Sequence, residues 1–212
     1  LCEYPLIAAK KSKIVDEIYV STDCKIIKKV SKKYGAKILY RPKRLASNKA
    51  LGDSVFEDAY FRIKKLEKKI DIVILLFANA PLVTPDLIKK GVDLLKKNPK
   101  ADSAVSVSKY NMWSPIRARK VSKKGTLVPF VPFKVFGNPK KLNCDRDSQG
   151  DVYFADMSVS IVRPKCLENL SNGLLPQKWM GQKILPIYSE GAFDIDYDWQ
   201  LPLLKYWIDK NR

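Results

Sequence analysis

The chain has 212 residues, 46% of them hydrophobic, and a formal charge of +18 with no histidine. That length suits one domain with a true core. The missing histidine removes His-based triads, His general bases and most zinc sites. Four cysteines, Cys2, Cys24, Cys144 and Cys166, form no C-x-x-C pair, so no disulfide framework is expected and a reducing cytoplasm is the expected location. The longest largely apolar run, 70–76 with Asp71 inside it, is strand-sized, and no secretion signal opens the chain, so no membrane partner is expected. The positive charge raises nucleic acid as a partner. It is carried mainly by lysine pairs, such as Lys28-Lys29, Lys32-Lys33, Lys89-Lys90 and Lys96-Lys97, with no arginine cluster. We read these as solvated helix surface, with attraction of anionic substrates such as nucleotides as a weaker second reading, and expect no nucleic-acid partner.

In chain order, 5–12 reads as a short amphipathic helix and 16–22 as a strand ending in the N-cap cluster Ser21-Thr22-Asp23. Ile26, Ile27, Val30 and Tyr34 recur at helical spacing until Gly35 stops them. A second strand is expected at 36–39, a basic loop at 41–50 and a helix at 53–66. The run 70–77 (IDIVILLF) reads as a central parallel strand buried on both faces. Thr84-Pro85-Asp86 caps the next helix, and 102–108 is another strand. From residue 110 to 151 the helical period disappears and short β-like pieces with prolines take over. A strand at 152–163 returns to the sheet, followed by a short helix at 164–170, a turn at Asn172-Gly173, a strand at 184–188 and a closing helix at 197–210. This alternation predicts an α/β fold, a Rossmann-like, mostly parallel sheet flanked by helices with a β-rich excursion.

Open α/β sheets bind ligands beyond the carboxyl ends of their strands. The candidate loops are those after Val20, Leu39, Phe77 and Ser108. To these is added Asp194-Ile195-Asp196, expected at the end of a strand. Alternate strand residues share a face, so Asp194 and Asp196 would lie together and repel unless a cation sits between them or one takes a proton. Mg²⁺ is the usual hard cation and brings phosphates with it. The triplet alone also allows Asp194 as a helix cap and Asp196 as a solvated side chain.

Four stretches resemble the cytidylyltransferases that activate sialic-acid-type sugars. They are Pro5-Leu6-Ile7-Ala8-Ala9 with Val20-Ser21-Thr22-Asp23; Arg41-Pro42-Lys43-Arg44-Leu45-Ala46, similar to R-P-x-x-L-A; the run from Val73 to Pro81-Leu82; and Asp194-Ile195-Asp196, similar to a metal-binding D-x-D. The resemblance implies a nucleotide-diphospho-sugar transferase fold in a single domain over 1–212, with 110–151 as a dimerisation arm bearing Trp113, Phe130, Phe133 and Phe136. A small satellite core is the other reading of those aromatics. It implies transfer of CMP from CTP to a 2-keto-3-deoxy sugar acid, with Asp194 and Asp196 holding Mg²⁺ and a homodimer as the assembly.

It further implies that Arg41 reads the cytosine edge, that the Ala50 carbonyl meets the base, and that Gly52 and Asp53 lie near the ribose, Asp53 equally serving as a cap. Phe77, Asn79 and Asp156 would face the sugar, Asp156 equally as a buried, satisfied group. Arg117 and Arg119, two apart on a strand, would grip phosphate or carboxylate, or form a solvated edge. The family's first strand and phosphate-cradling loop are expected to lie before Leu1, so weak CTP binding is expected of this stretch alone. Two other readings stand beside this one: the same fold serving another acceptor, and a non-catalytic basic binding protein.

Overall fold

The computed structural model describes residues 1–143, 145 and 150–210; Cys144 lies outside them. Two compact units are formed, the first by Leu1–Val107 with Asp156–Arg212 and the second by Ser108–Ala155.

The first unit is α/β. Helix α1 (Glu3–Ser12) leads to strand β1 (Tyr19–Thr22), α2 (Lys25–Lys33) and β2 (Lys37–Tyr40). The last two strands pair in parallel, Tyr19 opposite Lys37 and Thr22 opposite Tyr40. Gly35 takes φ +79° between α2 and β2, a conformation a side chain would resist. Helix α3 (Gly52–Lys64) precedes β3 (Val73–Leu75), and α4 (Pro85–Lys97) precedes β4 (Ser103–Lys109). Thr84 caps α4 as expected, its Oγ1 accepting from the Leu87 N–H at 3.1 Å.

The second unit carries a hairpin of β5 (Arg119–Val121) and β6 (Leu127–Pro129), antiparallel, closed by the Ser122–Thr126 turn. Trp113 and Phe130 are 64% and 60% exposed, so neither belongs to a satellite core. Arg119 stacks 5.2 Å from the Phe133 ring centroid. Strand β7 (Tyr153–Val162) then leads to α5 (Pro164–Glu168), β8 (Ile184–Ser189) and α6 (Leu201–Lys210). The main sheet has the order β3-β7-β4-β8.

That sheet is mixed. The apolar run 70–77 supplies only three ladder residues and lies at an edge, antiparallel to β7 with Val73 opposite Val162 and Leu75 opposite Ser160. Ile72, Ile74 and Leu76 still lean on the core while half-buried. Hydrophobic character reports burial, which an edge strand under helices also has; it does not count ladder partners.

The core joins Ala8 and Ala9 of α1, Leu87, Ile88, Val92 and Leu95 of α4, and Val159, Ile161 and Ile187 of the sheet. Spacing of three and four along α4 puts its apolar residues on one stripe. Gly91 lies on that stripe, where a Cβ would stand 2.6 Å from Ile187 and 2.7 Å from Ile161, so helix and sheet approach closely there.

Asp102 ties β4 to two neighbouring segments. Its Oδ2 accepts the Gln182 and Lys183 N–H groups, each at 2.9 Å, and its Oδ1 pairs with Lys165 Nζ at 2.6 Å. Burial pushes this carboxyl up, but Lys165 and the two backbone donors outweigh it and hold it down to about 2. A depressed carboxyl stabilises the fold above its unfolded value, near 3.8, and loses that contribution as pH falls through about 2. Asp102→Asn is therefore expected to cost about 1–2 kcal/mol at pH 7, discounted for the exposed Lys165. Urea unfolding should show the gap at neutral pH and its disappearance in strong acid; a gap that persists would assign the effect to packing.

Candidate active site

Asp194 and Asp196 lie in an irregular loop, not at the end of a strand. Strand β8 stops at Ser189, and Gly191 turns the chain with φ +63°. What replaces the strand is a clamp. Ile195 is buried against Leu82, Ala192 and Leu204, and its N–H donates to the Asn79 carbonyl at 2.8 Å. The anchoring residue thus sits between the two carboxylates, keeping the in–out alternation that a strand would have given.

Asn79 does more than hold the backbone. Its Nδ2 donates to Asp196 Oδ1 at 3.0 Å, and its amide also bonds Asp194. Burial first, and then the charge of Asp196, push the Asp194 carboxyl above its usual range; Asn79 and the residue's own N–H only partly oppose this. Asp196 is therefore close enough to raise Asp194 in a half-buried setting, which is the arrangement a cation relieves.

Gln200 completes the frame. Its Oε1 accepts the Asp196 and Tyr197 N–H groups, each at 2.7 Å, and its Nε2 donates to the Asp194 carbonyl at 3.2 Å. Sequence reasoning missed this brace, although the Tyr197-x-x-Gln200 spacing at a helix start is that of a capping box.

Among the described residues no cluster of three or more His, Cys, Asp or Glu groups could hold a metal. The donor set is two carboxylates. That suits a hard cation such as Mg²⁺, which takes few protein ligands and completes its shell with water and phosphate oxygens.

The other predicted residues fall into groups. Arg41 follows β2; its Nη2 donates to the Ser21 carbonyl at 2.6 Å and its Nε to Ser21 Oγ at 3.3 Å. The guanidinium is thereby fixed at the carboxyl end of the β1–β2 pair. Ala50 ends a turn, its N–H donating to the Ser47 carbonyl at 3.0 Å.

Gly52 and Asp53 open α3 and are engaged by Trp179. A Cβ on Gly52 would stand 3.1 Å from the Trp179 ring. Asp53 Oδ1 accepts the backbone N–H of Trp179 at 3.0 Å, so this carboxylate braces a neighbouring loop and does not cap its own helix. Phe77 joins the same group. Phe56 and Phe77 meet edge to face at 5.3 Å, Phe56 and Trp179 at 5.0 Å, and Phe77 lies 6.0 Å from Trp179. Trp179 is 3% exposed and was not anticipated from sequence; it stands in a stretch without helical or strand period.

Two expectations are corrected. Asp156 is 5% exposed, and its carboxylate accepts from Ser106 Oγ at 2.5 Å, from the Ser158 N–H at 3.1 Å and from Ser189 Oγ. It ties β4, β7 and β8 beside Met157, which has φ +61°, and serves the sheet where a sugar contact was expected. Arg117 and Arg119 do not share a strand face: Arg117 ends the 3-10 turn Pro115–Arg117 while Arg119 begins β5. Arg119 Nη1 donates to the Ile116 and Ala118 carbonyls at 2.9 and 3.1 Å. A proline at the turn's start sets this local geometry. Both arginines belong to the second unit. A surface hollow of about 410 Å³ on α3, between Arg44, Asp58 and Arg62, is lined by none of the predicted site residues.

Residues 1–124 match the family described as Cytidylyltransferase. The chain belongs to the cytidylyltransferase family. It is 30% identical over 208 residues to the CMP-N,N'-diacetyllegionaminic acid synthase of Legionella pneumophila, a match spanning 95% of this chain and 82% of that protein. It is 25% identical over 205 residues to the N-acylneuraminate cytidylyltransferase of Oncorhynchus mykiss, spanning 94% of this chain and 42% of the relative. Among solved structures, CMP:2-keto-3-deoxy-manno-octonic acid synthetase complexed with CTP superposes with a TM-score of 0.66 at 13% identity, covering all of this chain and 88% of that one. The 4-diphosphocytidyl-2C-methyl-D-erythritol synthase of Anaerococcus prevotii gives 0.64 at 14% identity, covering 98% and 85%. At those identities the structural likeness speaks for the fold. As a member of this family the protein is a nucleotidyltransferase.

Proposed function

We propose that this cytidylyltransferase transfers CMP from CTP to a sialic-acid-type 2-keto-3-deoxy sugar acid, with Asp194 and Asp196 holding Mg²⁺. The observation that carries the reading is the paired carboxylates bound to one amide, Asn79, with Asp194 raised by burial and by its neighbour. The bond formed is between the acceptor hydroxyl oxygen and the α-phosphorus, and the bond broken releases pyrophosphate. Such transfers depend chiefly on positioning and charge neutralisation, for which no histidine is needed. The cation supplies charge neutralisation at the phosphates and lowers the pKa of the attacking hydroxyl. The protein's share is to hold two carboxylates at a fixed separation through Ile195, Asn79 and Gln200. Arg41, its guanidinium pinned by Ser21, presents donors for the cytosine O2 and N3, with the Ala50 carbonyl, Gly52 and Asp53 on the nucleotide side. Phe77 makes the acceptor side more apolar than a polar residue there would. The exposed Trp113 and Phe130 of the second unit fit a homodimer interface, where aromatics are enriched. The free thiols Cys2, Cys24 and Cys166 fit a cytoplasmic location.

The test is turnover of CTP with a panel of keto-deoxy sugar acids, following CMP-sugar and pyrophosphate with Mg²⁺ and with chelator. Product with one or more sugar acids, lost on chelation, is expected; turnover only with a polyol phosphate, or none with any acceptor, would overturn the assignment. Arg41→Ala should raise the KM for CTP about tenfold or more while leaving the sugar KM nearly unchanged; equal losses would remove its base-reading role. Gln200→Ala should lower kcat about tenfold to a hundredfold with a small change in KM, since loosening the loop misplaces both carboxylates.

A further inference from the structure

Positive charge is segregated among the helices. Helices α1, α2 and α4 together carry eleven lysines, no arginine and three acidic residues, Glu3, Asp86 and Asp93. They form one layer, since α1 packs against both α2 and α4. Helix α2 alone contributes Lys25, Lys28, Lys29, Lys32 and Lys33 with no acidic residue. All eleven ammonium-bearing side chains are exposed. Among the described residues only Lys89 has an ion-pair partner in that set, Asp86 at 3.8 Å.

The other packed helix pair, α3 with α5, is different. It carries three basic and four acidic residues, and its charges are joined: Arg62 with Asp58 at 3.5 Å, Lys64 with Glu168 at 2.7 Å, and Lys165 with Asp102 at 2.6 Å. A uniformly basic composition would have left both groups of helices alike. Between the packed helix groups of the first unit, the excess therefore falls on the α1–α2–α4 side; residues 108–155 are basic as well, with ten basic and three acidic residues.

Two features indicate what that face meets. Lysine is a compact, strongly hydrated point charge on a flexible stem, while arginine is the residue for bidentate reading of phosphates and bases. A lysine-only face suits a broad, smeared negative surface better than a patterned groove. Second, Ile26 stands 74% exposed in the first turn of α2. At spacings of three and seven it shares a helix side with Lys29 and Lys33. An apolar side chain set among lysines matches a helix lying in the headgroup region of a bilayer.

We propose that the α1–α2–α4 face docks the enzyme on an anionic lipid bilayer, peripherally and reversibly. Attraction acts within about 8 Å at physiological salt, and clusters of four to eight basic side chains suffice for such binding. No helix among the described residues is long and apolar enough to cross a membrane, which accords with surface attachment.

The test is co-sedimentation of the intact chain with vesicles of phosphatidylglycerol and phosphatidylcholine, against phosphatidylcholine alone. Binding to the anionic vesicles only, falling at least about tenfold as salt is raised toward molar, is expected. The combined variant Lys25→Glu, Lys28→Glu, Lys29→Glu and Lys32→Glu should weaken it at least about tenfold. The matched control Lys120→Glu, Lys123→Glu, Lys124→Glu and Lys134→Glu, with the same charge change in the second unit, should lose little. Circular dichroism of both variants separates loss of binding from loss of fold, and the milder Lys→Gln set at the α2 positions repeats the test should the Glu set unfold. Equal losses in the two sets would reduce the effect to net charge and overturn the proposal. Absence of vesicle binding would overturn it too, as would double-stranded DNA displacing the protein from vesicles at equal phosphate concentration, which would assign the face to nucleic acid.

Discussion

Asp194→Asn is expected to abolish CMP transfer, lowering kcat by at least about a thousandfold, or roughly 4 kcal/mol of transition-state stabilisation, while the fold survives. Asp196→Asn should do the same. The side chains are isosteric with their replacements, and Asn79 and Gln200 hold the loop mainly through its backbone and through Asp196. A second readout separates a catalytic carboxylate from a structural one. The Asp194 carboxyl is raised in the folded protein, by burial and then by Asp196. The folded state therefore binds that proton more tightly than the unfolded chain, and ionised Asp194 opposes folding at neutral pH. Asp194→Asn should then be as stable as the parent or more so at pH 7 without metal, with the advantage shrinking as pH falls and the parent takes up its proton. A variant that kept normal turnover would remove the metal assignment. One that lost activity together with stability would make Asp194 a structural residue.

Gly173→Ala is expected to be among the most damaging single-methyl changes in the chain. A Cβ there would stand 1.9 Å from the Lys178 carbonyl oxygen and 2.6 Å from its carbon. Backbone cannot rotate aside as a side-chain tip can. The loop is closed at its base by Leu174 donating to the Gly181 carbonyl at 3.0 Å, so relief must come from moving residues 178–180. These carry Trp179, gripped by Asp53 and packed on Phe56 and Phe77. A cost of roughly 2–4 kcal/mol is expected, read from urea unfolding as a lower midpoint at constant slope. Because Gly52 and Phe77 rest on the same ring, turnover should fall further than the loss of folded protein explains. A change within about 0.5 kcal/mol would mean that the loop yields freely.

The helices were legible in the sequence because their determinants are local. Thr84-Pro85 at the head of α4, Gly35 at the tail of α2 and the three-and-four spacing of Leu87, Ile88, Val92 and Leu95 each act within a few residues. Strand partnership was not, because it is settled by segments far away in the chain. The run 70–77 announces burial but says nothing of β7 arriving antiparallel beside it. The same division holds at the site. The pairing of the two aspartates could be named in advance, since alternation along the chain suffices for that; Asn79 was expected to face the sugar and instead bonds both carboxylates. That a buried isoleucine would replace the strand as the means of aligning them could not, because its bond joins positions 79 and 195, whereas the Gln200 brace is local and its capping spacing was there to be read. Asp156 stayed open for a related reason: a carboxylate in an apolar strand reads equally as a ligand or as a buried, satisfied group until the three donors around it are seen.

The position of β3 bears on how the molecule behaves in a crowd. Among the described residues its ladder has one neighbour, and the opposite rim carries Val73, Ile74 and Leu75 without the lysine, proline or kink that commonly guards such a border. A strand edge of this kind offers main-chain donors and acceptors to an extended segment laid alongside it. An extended segment with matching apolar side chains would pair there alongside Val73–Leu75.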